Sequence, residues 1–243
     1  MTTDYRHRLY DSYLSSLAGR TPRVAAQRIE SVRPSLGRVI ARHFPPDRAA
    51  RIIDLGCGSG LLLHLAKEAG YTRLEGIDVS PEQVSAAHAL GLPWVREGDV
   101  LESLRQAPDA TYDATVSFDV LEHYTKDELL PIVDEVRRVL KPGGRWIIHV
   151  PNAQSPFGMS IRYGDFTHEQ AFTPNSLTQV LSASGFASVE CFEDTPVPHG
   201  LKSAGRWVVW KGVKGVLRLW HAAETGEYGP MIVSRNMLAV AVT

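Results

Sequence analysis

The 243-residue chain is long enough for one α/β domain with additions, and 44% hydrophobic with 22% charged residues describes an ordinary globule able to bury a core, which argues against disorder. A formal net charge of -1 gives no field to draw in a polyanion, so nucleic acid is not expected as a partner. The two cysteines, Cys57 and Cys191, form no CxxC pair, and the polar start of the chain together with the lack of any membrane-length apolar run leads to a cytoplasmic expectation with at most peripheral membrane contact.

Residues 4–43 read as helical, with Pro22 opening a second helix and Pro45-Pro46 ending it, so that 1–46 form an N-terminal helical cap. From Arg51 onward short apolar runs alternate with helical stretches, the pattern of βαβ units and a doubly wound, mostly parallel sheet. The expected strands are 51–55, 73–78, 93–97, 112–118 and 144–150, with helices near 60–70, 81–90 and 126–140. Ser80, Pro81 and Glu82 open the second of these helices, and Lys141-Pro142-Gly143-Gly144 closes the third. The irregular stretch 151–172 is too long for an ordinary connection and is expected to be functional. Thr173-Pro174 then starts a helix, 186–194 and 231–242 read as strands, and 201–222 reads as a helix between them.

The segment IIDLGCGSG carries a strand into Gly56, Gly58 and Gly60, followed by an apolar helix. Glycines at that joint let the backbone turn sharply and approach a ligand, while the helix start offers unpaired N–H groups. Asp78 ends the next strand, where a carboxylate can accept from both ribose hydroxyls of a nucleoside, and Asp99 ends the third at the edge where doubly wound folds bind ligands. The pattern is GxGxG rather than GxGxxG, and Asp54 stands at the loop entrance. An acid there opposes a pyrophosphate but suits an ammonium and a sulfonium, which favours S-adenosylmethionine (SAM) over a dinucleotide.

The succession DLGCGSG, GIDVS, GDV, YDATVSFDVLEHY and LKPGGRWIIHVPN resembles the ordered motifs of class I SAM-dependent methyltransferases over about residues 50–152. The resemblance implies a seven-stranded Rossmann-like sheet whose last strand is antiparallel to the rest, in one domain spanning 1–243. Residues 47–152 would bind the cofactor and 153–243 would form the acceptor side. Position by position, it implies that Asp54, Gly56, Gly58 and Gly60 line the methionine part of SAM and that Asp78, followed by Val79, holds the ribose. It further implies that Asp99, with Val100 next to it, faces the adenine amino group and that Phe118 sits beside the methionine end.

On the acceptor side, Asp119, Glu122 and His123 follow the fourth strand, and Asn152, Tyr163, Asp165, His168 and Glu169 occupy the long connection. Asn152, Tyr163 and Glu169 are candidate substrate contacts. The segment YGDFTHEQAFTPNSLTQVLSASGF and the tail resemble methyltransferases of glycan and lipopolysaccharide biosynthesis, which implies a saccharide or glycoconjugate hydroxyl as acceptor. Such a hydroxyl needs a base, for which His123 and His168 are the candidates, with Asp165 orienting an imidazole. His168-Glu169 is not HExxH and no helix-spaced ligand pair accompanies it, so no metal is indicated, although a divalent metal held by carboxylates such as Asp119 or Asp165 would do the same work. FDVLEHY also occurs in quinone-type methyltransferases, which makes a small aromatic or isoprenoid hydroxyl the alternative acceptor. A SAM-binding module without activity is the alternative of another class. There is no NPPY-like amide motif to suggest nucleic-acid or protein methylation. Residues 200–223 carry Lys202, Arg206, Lys211, Lys214 and Arg218 and no acid, which suits a phosphate-bearing or lipid-linked acceptor or a membrane surface.

Overall fold

The computed structural model describes residues 5–10, 25–229 and 231–243; Pro22, expected to open a helix, lies outside them. In chain order the described elements are α1 (Tyr5–Tyr10), α2 (Ala25–His43), β1 (Arg51–Leu55), α3 (Leu61–Glu68), β2 (Arg73–Asp78) and α4 (Pro81–Ala89). Then come β3 (Val95–Glu97), α5 (Val100–Gln106), β4 (Tyr112–Phe118), a 3-10 turn (Leu121–His123), α6 (Lys126–Val139) and β5 (Leu140–Pro151). The chain closes with α7 (Gly158–Arg162), α8 (Pro174–Ala183), β6 (Ser188–Glu193), α9 (Leu201–Thr225) and β7 (Asn236–Val242).

The strands form one seven-stranded sheet in the order β3-β2-β1-β4-β5-β7-β6. β1 through β5 pair in parallel, and β7 runs antiparallel between β5 and β6, as expected. Because strand side chains alternate faces, neighbouring residues enter different cores. Ile52 and Ile147 pack with α2, α3 and α4 through residues such as Ile40, Leu63 and Ala87. Ile53, Trp146 and Ile148 pack on the other face with α5, α6 and α8 through Leu104, Val133, Val136 and Leu177.

Two short elements were not foreseen, and several expected bounds are corrected. The helix α5 and the 3-10 turn were not legible, since seven and three residues are too short to display a helical period. Lys141-Pro142-Gly143-Gly144 does not merely close α6; it is the irregular start of β5, where the β4–β5 register shifts between Tyr112 and Ala114. The strands expected over 93–97, 186–194 and 231–242 shorten to Val95–Glu97, Ser188–Glu193 and Asn236–Val242. Finally, α9 runs to Thr225 despite Gly205, Gly212 and Gly215.

Sheet order reverses between β1 and β4, whose following segments pass to opposite sides. A crevice opens there at the carboxyl ends of the strands, the usual ligand position in open α/β sheets.

Candidate functional site

A cavity of about 390 Å3 occupies this crevice, lined by Gly56 and Gly58 after β1, Asp78 to Ser80 after β2, Asp99 and Val100 after β3, and Phe118 to Val120 after β4. Gln83, His123, Tyr124 and Glu128 complete its sheet side, and Arg6 and Tyr10 of α1 close it from above. Arg6 is fixed by a two-pronged pair to Glu128, at 2.5 and 2.9 Å, and donates to the His123 carbonyl at 3.2 Å. The expected helical cap is therefore part of the site.

The glycine loop holds its shape by backbone conformation. Gly56 and Gly60 have φ of +70° and +74°, and a Cβ on either would stand 2.5 Å from Val120 Cγ2 or Leu92 Cδ1. At Gly58, also left-handed at φ +53°, a Cβ would meet nothing nearer than the Gln83 side chain at 3.8 Å, so this residue leaves open space at the cavity wall. The Gly58 and Ser80 N–H groups donate to the two Asp78 carboxylate oxygens at 2.7 and 2.9 Å. Burial raises the Asp78 pKa, against the pull of these two donors. Each oxygen keeps a lone pair, so the carboxylate is preset to accept two further donors.

Asp54 is buried beneath the loop, is not part of the cavity wall, and its Oδ1 has no hydrogen-bond partner. Burial, followed by the charge of Asp78, raises its pKa well above the carboxylate range. Gly60 likewise lies behind the wall, where it starts α3. Asp99 caps α5 by accepting from Glu102 N–H at 2.9 Å while lining the cavity.

Past β4 the backbone enters a left-handed conformation at Asp119, φ +55°, which costs on the order of 1 kcal/mol for a residue other than glycine. His149 of β5 fixes that corner: its ring stacks on Phe118 at 4.9 Å and 7°, Nδ1 lies 2.8 Å from Asp119 Oδ1, and Nε2 lies 3.6 Å from Asp194 Oδ2. Burial disfavours a charged imidazole, yet Asp119 and Asp194 outweigh it and lift the His149 pKa to about 10. Sequence reasoning missed His149; its signal was a histidine inside an apolar strand.

The 163–172 segment folds against the 3-10 turn, since Glu169 and Gln170 N–H both donate to the Glu122 carbonyl, at 2.7 and 3.2 Å. Asp165 Oδ1 accepts from the Thr167 hydroxyl at 2.6 Å, and that hydroxyl lies 2.9 Å from His123 Nδ1. The hydroxyl proton goes to the carboxylate, so His123 Nδ1 must be the donor to Thr167. Asp165 thus bears on an imidazole through Thr167, leaving Nε2 of His123 as an acceptor. Burial, with His168 beside it, pulls the His123 pKa down to about 4. His168 packs edge-on against His123 at 4.7 Å, and its Nδ1 points to the Ile161 carbonyl at 3.0 Å.

The three candidate substrate contacts lie elsewhere. Asn152 is fully buried and spends its amide on the Ile232 and Ser234 carbonyls, at 2.8 and 2.9 Å, while accepting from Gln154 N–H, so it ties β5 to the 232–234 segment. Tyr163 is 72% exposed under the Arg162 guanidinium, and Glu169 accepts a hydrogen bond from Tyr5 of α1. None of the three lines the cavity. Arg6, Tyr10, Gln83 and Tyr124 do and were not foreseen; Tyr124 adjoins the LEH motif, but the α1 residues carry no local signal.

Residues 25–191, more than half the chain, match the family described as "Methyltransferase domain". The chain belongs to that family. This methyltransferase is 34% identical over 112 residues to a ubiquinone biosynthesis O-methyltransferase of Xylella fastidiosa, an alignment covering 44% of each chain. It spans about half the length of the curated relatives it matches, from 42% to 62% for the first of them. A SAM-dependent methyltransferase from Archaeoglobus fulgidus shares the fold at a TM-score of 0.67 and 21% identity, over 88% of this chain and 94% of that one. Another, 1,6-didemethyltoxoflavin-N1-methyltransferase of Burkholderia thailandensis with bound S-adenosylhomocysteine, does so at 0.58 and 19%, over 98% and 88%. The chain thus carries a methyltransferase domain on the fold of SAM-dependent methyltransferases, and SAM is the cofactor that family and fold imply.

The residues present suit that cofactor. The orphaned Asp54 oxygen, the open wall at Gly58 and the Asp78 carboxylate preset by two N–H groups all lie around the glycine loop. Asp78 would hold ribose hydroxyls, and Asp99 and Val100 the base.

Proposed function

We propose that this methyltransferase modifies a hydroxyl of a small aromatic or isoprenoid acceptor of the quinone type. The observation that carries the proposal is the kinship with enzymes named for ubiquinone biosynthesis O-methylation, which favours the alternative above the saccharide acceptor first expected from 163–243. When bound, SAM supplies an electrophilic methyl group on a sulfonium. The chain's own part is to place and prepare the acceptor hydroxyl: Phe118, Val120 and Tyr124 give an aromatic body apolar contact, and His123 presents Nε2 beside it. Positioning of this kind can contribute much of a displacement rate.

The outer surface supports a lipophilic acceptor. Along α9, Leu201, Val208, Val209, Val216, Leu219 and Trp220 are each more than 60% exposed, among Lys202, Arg206, Lys211 and Arg218. Apolar and basic residues so interleaved suit contact with an anionic lipid surface, where such acceptors reside. Among the described residues no helix is long and apolar enough to cross a membrane.

The test supplies methyl-labelled SAM with a prenylated catechol and, separately, with an oligosaccharide. Label is expected in the extractable phenol, falling on the order of 10²–10⁴-fold in His123→Ala while cofactor affinity is retained. Label in the sugar alone would restore the saccharide reading. No label in either, with S-adenosylhomocysteine still bound, would favour a SAM-binding module.

A further inference from the structure

Thr167 is buried, and its hydroxyl joins three parts of the fold. It lies 2.6 Å from Asp165 Oδ1 in the long connection and 2.9 Å from His123 Nδ1 in the 3-10 turn, and it is hydrogen-bonded to the Tyr10 side chain of α1. A threonine hydroxyl has one proton to give and two lone pairs to offer. Asp165 Oδ1 also takes the Thr167 N–H at 2.9 Å; as a carboxylate oxygen it can only accept, so it claims the hydroxyl proton. The two lone pairs then face Tyr10 and His123, and both of these must donate. The hydroxyl is saturated by three partners that are far apart in the chain.

The consequence falls on His123. Burial keeps this ring neutral, and a neutral imidazole carries its single proton on one nitrogen or the other, according to the partner it is given. Tyr10 and His168 meet the ring edge-to-face, at 6.1 and 4.7 Å, and confine its plane. With Nδ1–H committed to Thr167, Nε2 keeps the lone pair that a general base needs. Without an acceptor at position 167 the Nδ1–H would be a buried donor with no partner, which the ring relieves by carrying its proton on Nε2 instead. A ring in that state can donate to a hydroxyl and cannot take its proton.

We propose that Thr167 is the positioning residue of His123: its hydroxyl holds the imidazole in the Nδ1–H tautomer and so keeps Nε2 bare for the acceptor hydroxyl. The inference deepens the proposed function and rests on the base role given to His123 there. The acceptor's proton passes to Nε2 as its oxygen takes the methyl group, and the ring becomes a cation with Nδ1–H still on Thr167. Tyr10 fills the second lone pair, so α1, which closes the cavity, also completes the network around the base. The partners are not equivalent. Tyr10→Phe removes a donor on which the other two bonds do not depend, whereas Asp165→Ala frees the Thr167 proton to be given to Nδ1.

NMR of isotope-labelled histidine rings reads the tautomer without any acceptor or turnover, because protonated and bare ring nitrogens resonate far apart; His123→Gln assigns the signal. With S-adenosylhomocysteine bound, wild type, Thr167→Ser and Tyr10→Phe should show His123 protonated at Nδ1. Thr167→Val and Asp165→Ala should show the proton moved to Nε2. S-adenosylhomocysteine affinity equal to that of wild type certifies the fold of each variant. With whichever acceptor takes label, kcat of Thr167→Val should fall toward the loss on the order of 10²–10⁴-fold that follows removal of a base, with acceptor KM little changed, and Thr167→Ser should recover it. A wild-type ring protonated at Nε2, or one that keeps its Nδ1 proton in both Thr167→Val and Asp165→Ala, would overturn the proposal, and so would full turnover in Thr167→Val. The spectra do not depend on which acceptor is methylated, so the quinone-type reading stands or falls separately.

Discussion

His149 holds two cavity residues at once, with its face on Phe118 and its Nδ1 on Asp119. Its pKa, lifted to about 10 from an ordinary 6.5, means that the charged ring favours the folded state. That contribution is complete below about pH 6.5 and fades as pH rises through about 10. Asp119→Asn should therefore lower the melting temperature most near pH 6, with the gap from wild type closing toward pH 10. A gap constant across that range would show that His149 is not charged in the folded protein. A histidine inside an apolar strand was visible in the sequence, but its role was not, because its partners, Asp119 and Asp194, are distant in the chain and meet it only through folding. By contrast Asp78 and Asp99 were legible, since each ends a strand and strand ends converge at one edge of a parallel sheet. Asn152 misled for the same reason as His149: a polar residue in a long connection can as well bind backbone as substrate, and here its amide holds the 232–234 segment.

At the scale of elements, the turn from β1 into α3 depends on packing as much as on backbone freedom. Gly56 needs φ +70° and leaves only 2.5 Å between a would-be Cβ and Val120, a residue of the cavity wall. Gly56→Ala should cost at least about 1–2 kcal/mol from the left-handed backbone alone, read as a lower denaturant midpoint. Cofactor affinity should fall with it, because Val120 must move. An alanine variant as stable as wild type would mean that the loop relaxes freely. The long elements were read well: β1, β2 and β4 have the expected bounds, and α4 opens at Ser80-Pro81-Glu82. The shorter α5 and the 3-10 turn were not, although Asp99, expected to bind ligand, is also the cap that starts α5. The 151–172 connection stood out for its length, but its content was not readable: α7, the Asn152–Phe172 bridge and the His168 contact to the turn all follow from tertiary pairing.

Across the whole molecule, one end of the sheet gathers the groups with chemistry. The glycine loop, Asp78 and Asp99, residues of the LEH turn and Arg6 and Tyr10 of α1 line one cavity, and the 163–172 segment packs against the LEH turn behind it. The grouping is spatial rather than sequential, since elements from both ends of the chain meet at this cavity. Most of the cofactor side was legible, because its motifs are local and ordered along the sequence. The contacts of α1 and of the long connection were not, because they are all long-range. The most direct test of this arrangement is calorimetric titration of S-adenosylhomocysteine into wild type and Asp78→Ala. Loss of hydrogen bonds to a charged carboxylate, about 1.5–3 kcal/mol each, should weaken binding roughly tenfold or more in a variant that remains folded. Wild-type affinity in folded Asp78→Ala would contradict the assignment of this cavity as the cofactor site.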